Sequence, residues 1–157
     1  MSNCLNAQLG EIEQILVRAA SRGQAASLTY AGEVTPQEAY RLFFAHGAKI
    51  IDVRSRFENQ YIGRIQGTSL VPWKHWPSGE TNAGFLTELQ ARCETSDIIL
   101  FLCRSGIRSH ATANVAAAAG FKLAFNILEG FEGDLDRYSQ RGNIGGWRKA
   151  GLPWIQD

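Results

Sequence analysis

Several features that would point directly to a class of function are scarce or missing. Three cysteines (Cys4, Cys93 and Cys103) in 157 residues are too few and too scattered for a disulfide framework. No Cys-x-x-Cys pair marks a zinc site or a dithiol redox centre, and no metal or organic cofactor is expected. An excess of one charge is also lacking: 16 Lys and Arg face 15 Asp and Glu, for a formal net charge of +1. Without a basic surplus or stripe, nucleic acid is not expected as the main partner. No apolar run approaches membrane-spanning length, and residues 1–10 have neither a basic start nor an apolar signal core. A cytoplasmic protein without a membrane partner is therefore expected, in a reducing compartment that suits a working thiol. Internal repeats and low-complexity segments are absent. What remains, 45% hydrophobic and 20% charged, is the composition of one soluble domain with a real core.

The most informative stretch is Phe101-Leu102-Cys103-Arg104-Ser105-Gly106-Ile107-Arg108-Ser109-His110. An apolar run, Ile98 to Leu102, precedes Cys103, and an alanine-rich segment, Ala111 to Ala119, follows. A buried strand thus runs into a short loop and the loop into a helix, with a cysteine at the first loop position. Backbone N–H groups in a tight loop converge, and the helix beyond adds its positive end, so an anion is favoured there. A thiolate is such an anion. Arg104 and Arg108 add two cations with no acid among them, and Gly106 allows the backbone to turn. A buried structural thiol is the plainer reading of a strand-end cysteine, but the arginines, the glycine and the helix start favour a nucleophile.

Along the chain, Leu5, Leu9, Ile12, Leu16 and Ala19 form one stripe of an N-terminal helix ending near Ser21–Gly23. Its stripe docks either on this domain or on a second copy of the chain, a homodimer. Leu28–Tyr30 is a short candidate first strand. Thr35 as N-cap, Pro36 at the first turn and Glu38 three after the cap mark the next helix, which Gly47 closes. Residues 48–54 read as a second strand ending in charge, Ser55–Tyr61 as a short helix, and Thr68–Trp73 as a third strand. A helix over Asn82–Cys93 follows, in which Cys93 reads as packing. The central strand (Asp97–Leu102), its helix to Gly120 and a fifth strand over Lys122–Leu128 complete the pattern. Strands alternating with helices predict an α/β fold, a five-stranded, mainly parallel sheet with helices on both faces. The expected division is an N-terminal helical extension over 1–27 and the main domain over 28–157. His75, in the loop after the third strand, is either a general base or a surface residue. The glycine-rich stretch 133–146 is either an adornment or a lid.

Cys103-Arg104-Ser105-Gly106-Ile107-Arg108 resembles the active-site loop of the rhodanese (thiosulfate:cyanide sulfurtransferase) family. The strand ending Asp52-Val53-Arg54 and the turn Gly63-Arg64-Ile65-Gln66-Gly67 resemble that family's upstream signature, with Arg64 and Gln66 replacing its usual histidine and proline. The close, Trp147-Arg148-Lys149 and on to Pro153-Trp154, is similar to the family's ending. The likeness spans about Val34 to Trp154 and leaves the N-terminal helix unexplained.

The resemblance implies a rhodanese-like fold in which the Cys103 strand lies between those ending Asp52-Val53-Arg54 and Leu128-Glu129-Gly130. It implies a sulfurtransferase that carries a persulfide on Cys103, with Arg104, Ser105, Gly106, Ile107 and Arg108 binding substrate. The implied donor is a small anion such as thiosulfate or another persulfide, and the acceptor a thiol, cyanide or a protein cysteine. By position Asp52 would hold a loop arginine and Arg54 would add charge at the mouth, or both would only cap a strand. Trp73 and Phe131 are candidate mouth residues. Two rivals stand beside this reading. One is a non-catalytic or sulfur-relay binding module. The other is a cysteine phosphatase, whose loops place one residue more between nucleophile and arginine than the four found here.

Overall fold

The computed structural model describes the backbone of residues 2–157 and the side chains from Gly10 onward. Expectations on Cys4, Leu5 and Leu9 therefore concern side chains outside the described residues. The chain forms α1 (Ser2–Ala25), β1 (Gly32–Val34), α2 (Pro36–His46), β2 (Lys49–Asp52) and β3 (Ser69–Leu70). It continues through α3 (Phe85–Arg92), β4 (Ile99–Leu102), α4 (Ile107–Ala118) and β5 (Ala124–Ile127). A π-helical turn, Glu58–Ile62, lies between β2 and β3.

The five strands lie in the order β1-β5-β4-β2-β3, and every pair is parallel. The sheet is thus wholly parallel, with β4 between β2 and β5, as the resemblance implied. Side chains alternate across it with a period of two. From β4, Leu100 and Leu102 join Ile50, Phe125 and Ile127 in one core, while Ile99 and Phe101 join Ile51 and Ala124 in the other. The first core is covered by α1 and α2 through Ile15, Ala19, Ala39 and Leu42. The second is covered by α3 and α4 through Phe85, Leu89, Ala113 and Ala116. A strand buried on both faces has no polar alternation, which is why Ile98 to Leu102 is an unbroken apolar run.

Local signals placed α2 closely. Thr35 Oγ1 accepts from Glu38 N–H at 3.1 Å, Glu38 Oε1 accepts from Thr35 N–H at 2.9 Å, and Gly47 closes the helix in the left-handed conformation. Glu38 also receives Arg18 Nε at 2.8 Å and Arg22 Nη1 at 2.7 Å, fastening α1 across the start of α2. The described part of the stripe, Leu16 and Ala19, therefore faces its own domain, and Ile15, absent from the expected stripe, is the most buried large residue described in α1, at 3% exposed. Cys93 is buried packing in the second core, where burial pushes its thiol up.

The first strand departs from expectation. Leu28–Tyr30 is not a strand; the ladder starts at Gly32, opposite Phe125, because β5 sets the register there. Only Ser69 and Leu70 of the expected third strand pair with β2. No helix among the described residues is long and apolar enough to cross a membrane.

Candidate active site

β4 ends at Leu102, opposite Asp52 of β2, and the chain turns at once into the Cys103 loop. A loop at the carboxyl end of a central parallel strand occupies the position where such sheets bind ligands. Gly106 adopts φ = 105°, and its N–H donates to Cys103 Sγ at 3.1 Å. Ser109, fully buried in the first turn of α4, places its Oγ 3.1 Å from the same sulfur. With the sulfur anionic, both groups act as donors to it. Asn126 of β5 donates from Nδ2 to Gly106 O at 3.2 Å, bracing the turn from behind. Cys103 itself is buried, at 1% exposed.

The segment after β5 supports the loop from its other side. Phe131 N–H donates to Cys103 O at 2.8 Å, and Glu132 N–H to Arg104 O at 3.0 Å. Such close backbone contact needs a residue without a side chain. A Cβ on Gly130 would stand 2.5 Å from the Arg104 carbonyl and 2.6 Å from Cys103 O, and its φ is 65°.

The two loop arginines differ. Arg104 is exposed, and the described residues include no acidic partner for it. Arg108 is held by Glu58 in a fork, Nη2 to Oε1 at 2.7 Å and Nη1 to Oε2 at 2.8 Å. Glu58 is fixed in turn by a capping box with Ser55, whose N–H donates to Oε2 at 3.0 Å. Burial pushes the Glu58 carboxyl up, but the bonds from Arg108 and Ser55 outweigh it and hold the group at about 2. The hydrogen bond that Arg108 donates to Glu58 in turn raises Arg108, against burial, and the charges of Glu58, Cys103 and Asp52 add to it.

Because its folded value lies below the usual 4.5, Glu58 stabilises the fold fully above about pH 4.5 and loses that contribution as pH falls toward 2. Glu38 behaves alike: burial raises it, while Arg22, Thr35 N–H and Arg18 prevail and hold it at about 2. Glu58→Gln is expected to lower stability at pH 7 by about 2 kcal/mol and to flatten the loss between pH 4.5 and 2. Urea unfolding midpoints across that range provide the measurement, and parallel curves for the two proteins would contradict the pairing.

Four expected placements need correction. Asp52 holds no loop arginine; its carboxylate takes Arg54 Nε at 2.9 Å and Nη2 at 2.7 Å, with Asn59 at 3.0 Å. Arg54 adds no charge at the mouth, being fully buried with its guanidinium 4.4 Å from the Phe131 ring centre. Phe131 is likewise fully buried and is not a mouth residue. Trp73 packs edge-on against Phe85 at 5.3 Å, in the second core. The first three share a cause: Asp52 and Gly63 O draw Arg54 Nε and Nη2 inward, under the Phe131 ring, where a paired guanidinium is tolerated.

The open face is a cleft of about 780 Å³ beside the loop. Arg104 and Arg108 lie in its lining, Phe57, Tyr61 and Trp76 supply one wall, and Leu135 and Arg141 belong to the 133–146 stretch. That stretch therefore contributes a wall to the cleft. It is braced by Asp136, which accepts from Tyr138 and Gln140 N–H and from Asn143 Nδ2. His75 is exposed on the cleft. Ser105 is half-buried in the loop, and Ile107, 77% exposed, begins α4. Glu58, Ser109 and Asn126 were missed in the sequence. Glu58 did have a signal, the Ser55-x-x-Glu58 capping pattern.

The model of the rhodanese-like domain family matches residues 35–136. An uncharacterised protein of Rickettsia conorii is 32% identical over 121 residues, covering 74% of this chain and 91% of its own. Thiosulfate sulfurtransferase GlpE of Actinobacillus succinogenes is 26% identical, over 77% of this chain and 87% of that protein. The crystal structure of Rv0390 from M. tuberculosis superposes with a TM-score of 0.73 at 40% identity, covering 82% of this chain and 99% of that one. With the Cys103 loop at the end of β4 and the parallel order β1-β5-β4-β2-β3, these likenesses establish that the chain belongs to the rhodanese-like domain family.

Proposed function

We propose that the protein is a sulfurtransferase that carries a sulfane sulfur on Cys103. The observation that carries this reading is the pair of donors on one buried sulfur, Gly106 N–H and Ser109 Oγ, each at 3.1 Å. Donors already in place stabilise an anion there without rearrangement. In the first half-reaction the Cys103 thiolate attacks the outer sulfur of thiosulfate. The S–S bond of the donor breaks, and sulfite leaves with its electron pair. In the second, a nucleophilic acceptor attacks the outer sulfur of the Cys103 persulfide, and Cys103 departs as the thiolate. Neither step calls for a metal or an organic cofactor, nor for a histidine base.

A buried sulfur is best reached by one protruding atom, and the outer sulfur of thiosulfate is such an atom. Of the two loop arginines, Arg104 is the one without an acidic partner among the described residues, placed to meet the anionic donor. The fork from Glu58 occupies Arg108, which counts against a phosphatase, where an arginine after the nucleophile must grip phosphate. Similarity to thiosulfate sulfurtransferase GlpE supports the same direction. The test is turnover: thiocyanate formed from thiosulfate and cyanide in the presence of the protein. Turnover at a rate above background is expected. Background rates with thiosulfate and with organic persulfide donors alike would overturn the reading.

A further inference from the structure

The cleft is far larger than a small inorganic anion needs, and its walls are not those of an anion site alone. Its volume, about 780 Å³, falls in the range of sites for organic molecules of moderate size. Three large aromatic side chains stand in it largely exposed: Phe57 is 56% exposed, Tyr61 64% and Trp76 67%. They form one cluster, with Phe57 centred 5.4 Å from Tyr61 and 6.2 Å from Trp76. The π turn Glu58–Ile62 contributes to this arrangement. By closing Gly63 N–H onto Glu58 O, it widens one helical turn between Phe57 and Gly63, and such turns recur at functional sites. Leu135, 48% exposed, adds an apolar group from the 133–146 stretch.

Charge defines the other requirement. Lys74, Arg104, Arg108 and Arg141 line the cleft with only two carboxylates, Glu58 and Glu132. Glu58 is spent on Arg108, and Glu132 lies 3.7 Å from Arg148. The field left over is positive, and Arg104 and Lys74 have no acidic partner among the described residues. Exposed rings beside uncompensated cations match a ligand with a flat apolar body and an anionic group.

We propose, on the reading of Cys103 as the sulfur carrier, that the sulfur acceptor is a small organic thiol bearing an aromatic ring and a carboxylate-like anion. Its ring lies against Phe57 and Trp76, its anion meets Arg104 and Lys74, and its thiol reaches the outer sulfur of the persulfide. The acceptor sulfur attacks that outer sulfur and forms a new S–S bond. The bond between the outer sulfur and Cys103 Sγ breaks, and the thiolate of Cys103 is regenerated. The acceptor's proton stays with the product persulfide, so no oxidant or reductant is consumed.

The test compares 4-(mercaptomethyl)benzoate with 3-mercaptopropionate, two alkyl thiols with a carboxylate that differ in the ring. Their unreactive S-methyl thioethers are titrated in parallel by calorimetry. The ring thiol is expected to show kcat/KM higher by about tenfold, and its thioether to bind about tenfold more tightly. Trp76→Ala should bring both ratios toward one, Lys74→Gln should weaken both carboxylates, and Phe44→Ala, an exposed aromatic on α2 outside the cleft, should change neither. Equal affinities for the two thioethers, or a preference that survives Trp76→Ala, would overturn the inference. Sulfur loading of Cys103 in that case would leave the sulfurtransferase reading standing. A ring preference in binding without sulfur loading would instead uphold the ligand class and remove the carrier role.

Discussion

Cys103→Ser is expected to reduce thiocyanate formation to the uncatalysed background, a loss of at least about 10³-fold, while leaving the fold intact. The substitution keeps a group of nearly the same shape at a fully buried position. The oxygen can take the place of the sulfur between Gly106 N–H and Ser109 Oγ, so the loop retains its bonds. What it cannot do is act as a thiolate near neutral pH or hold a transferable sulfur. Among the described residues, none of those lining the adjoining cleft carries a thiol that could substitute for it. Steady-state assays with urea unfolding alongside separate the two effects. A variant with a substantial fraction of parent turnover would show that sulfur travels by another route.

The second large effect lies outside the loop. Gly130→Ala is expected to cost about 3 kcal/mol, from a left-handed backbone imposed on alanine and from overlap with neighbouring main chain. The atoms in the way are the carbonyls of Cys103 and Arg104, which cannot rotate aside as a side chain would. Relief requires the 129–133 segment to lift from the loop, breaking the bonds from Phe131 and Glu132 N–H. Turnover should therefore fall by more than the folded fraction does, because the loop that holds the sulfur loses its support. Urea midpoints and kcat measured on the same preparation test this, and an alanine variant of parent stability would contradict it.

What the sequence revealed and what it hid follow from the range of the interactions. The α2 helix was legible to the residue because Thr35, Pro36, Glu38 and Gly47 act on their own neighbours. The Cys103 loop was legible for the same reason, its nucleophile, turn and helix start being contiguous. Strand edges were less so. Leu28–Tyr30 has strand-like residues, but pairing begins at Gly32 because β5 decides where β1 can bond. Glu58 hid in plain view: its capping pattern with Ser55 is local, but its fork to Arg108 spans fifty residues of chain. No periodicity announces such a contact. Arg54 and Phe131 misled for a related reason. Charge and bulk at a strand end suggest a mouth, whereas the Asp52 carboxylate and Gly63 O hold Arg54 Nε and Nη2 inside the fold.

The same distinction bears on function. Residues close in sequence to Cys103 build the anion cradle, while Phe57, Tyr61, Trp76 and the 133–146 stretch, which shape what approaches it, come from three separate segments. On the proposed function, donor chemistry rests on one short loop and acceptor selection on the assembled cleft.

The central claim is that Cys103 carries a sulfur atom, and intact-mass spectrometry of the reduced protein after exposure to thiosulfate tests it most directly. The gain of one sulfur atom is expected, absent from Cys103→Ser and removed by added cyanide. An unchanged mass after thiosulfate and after an organic persulfide donor would contradict it.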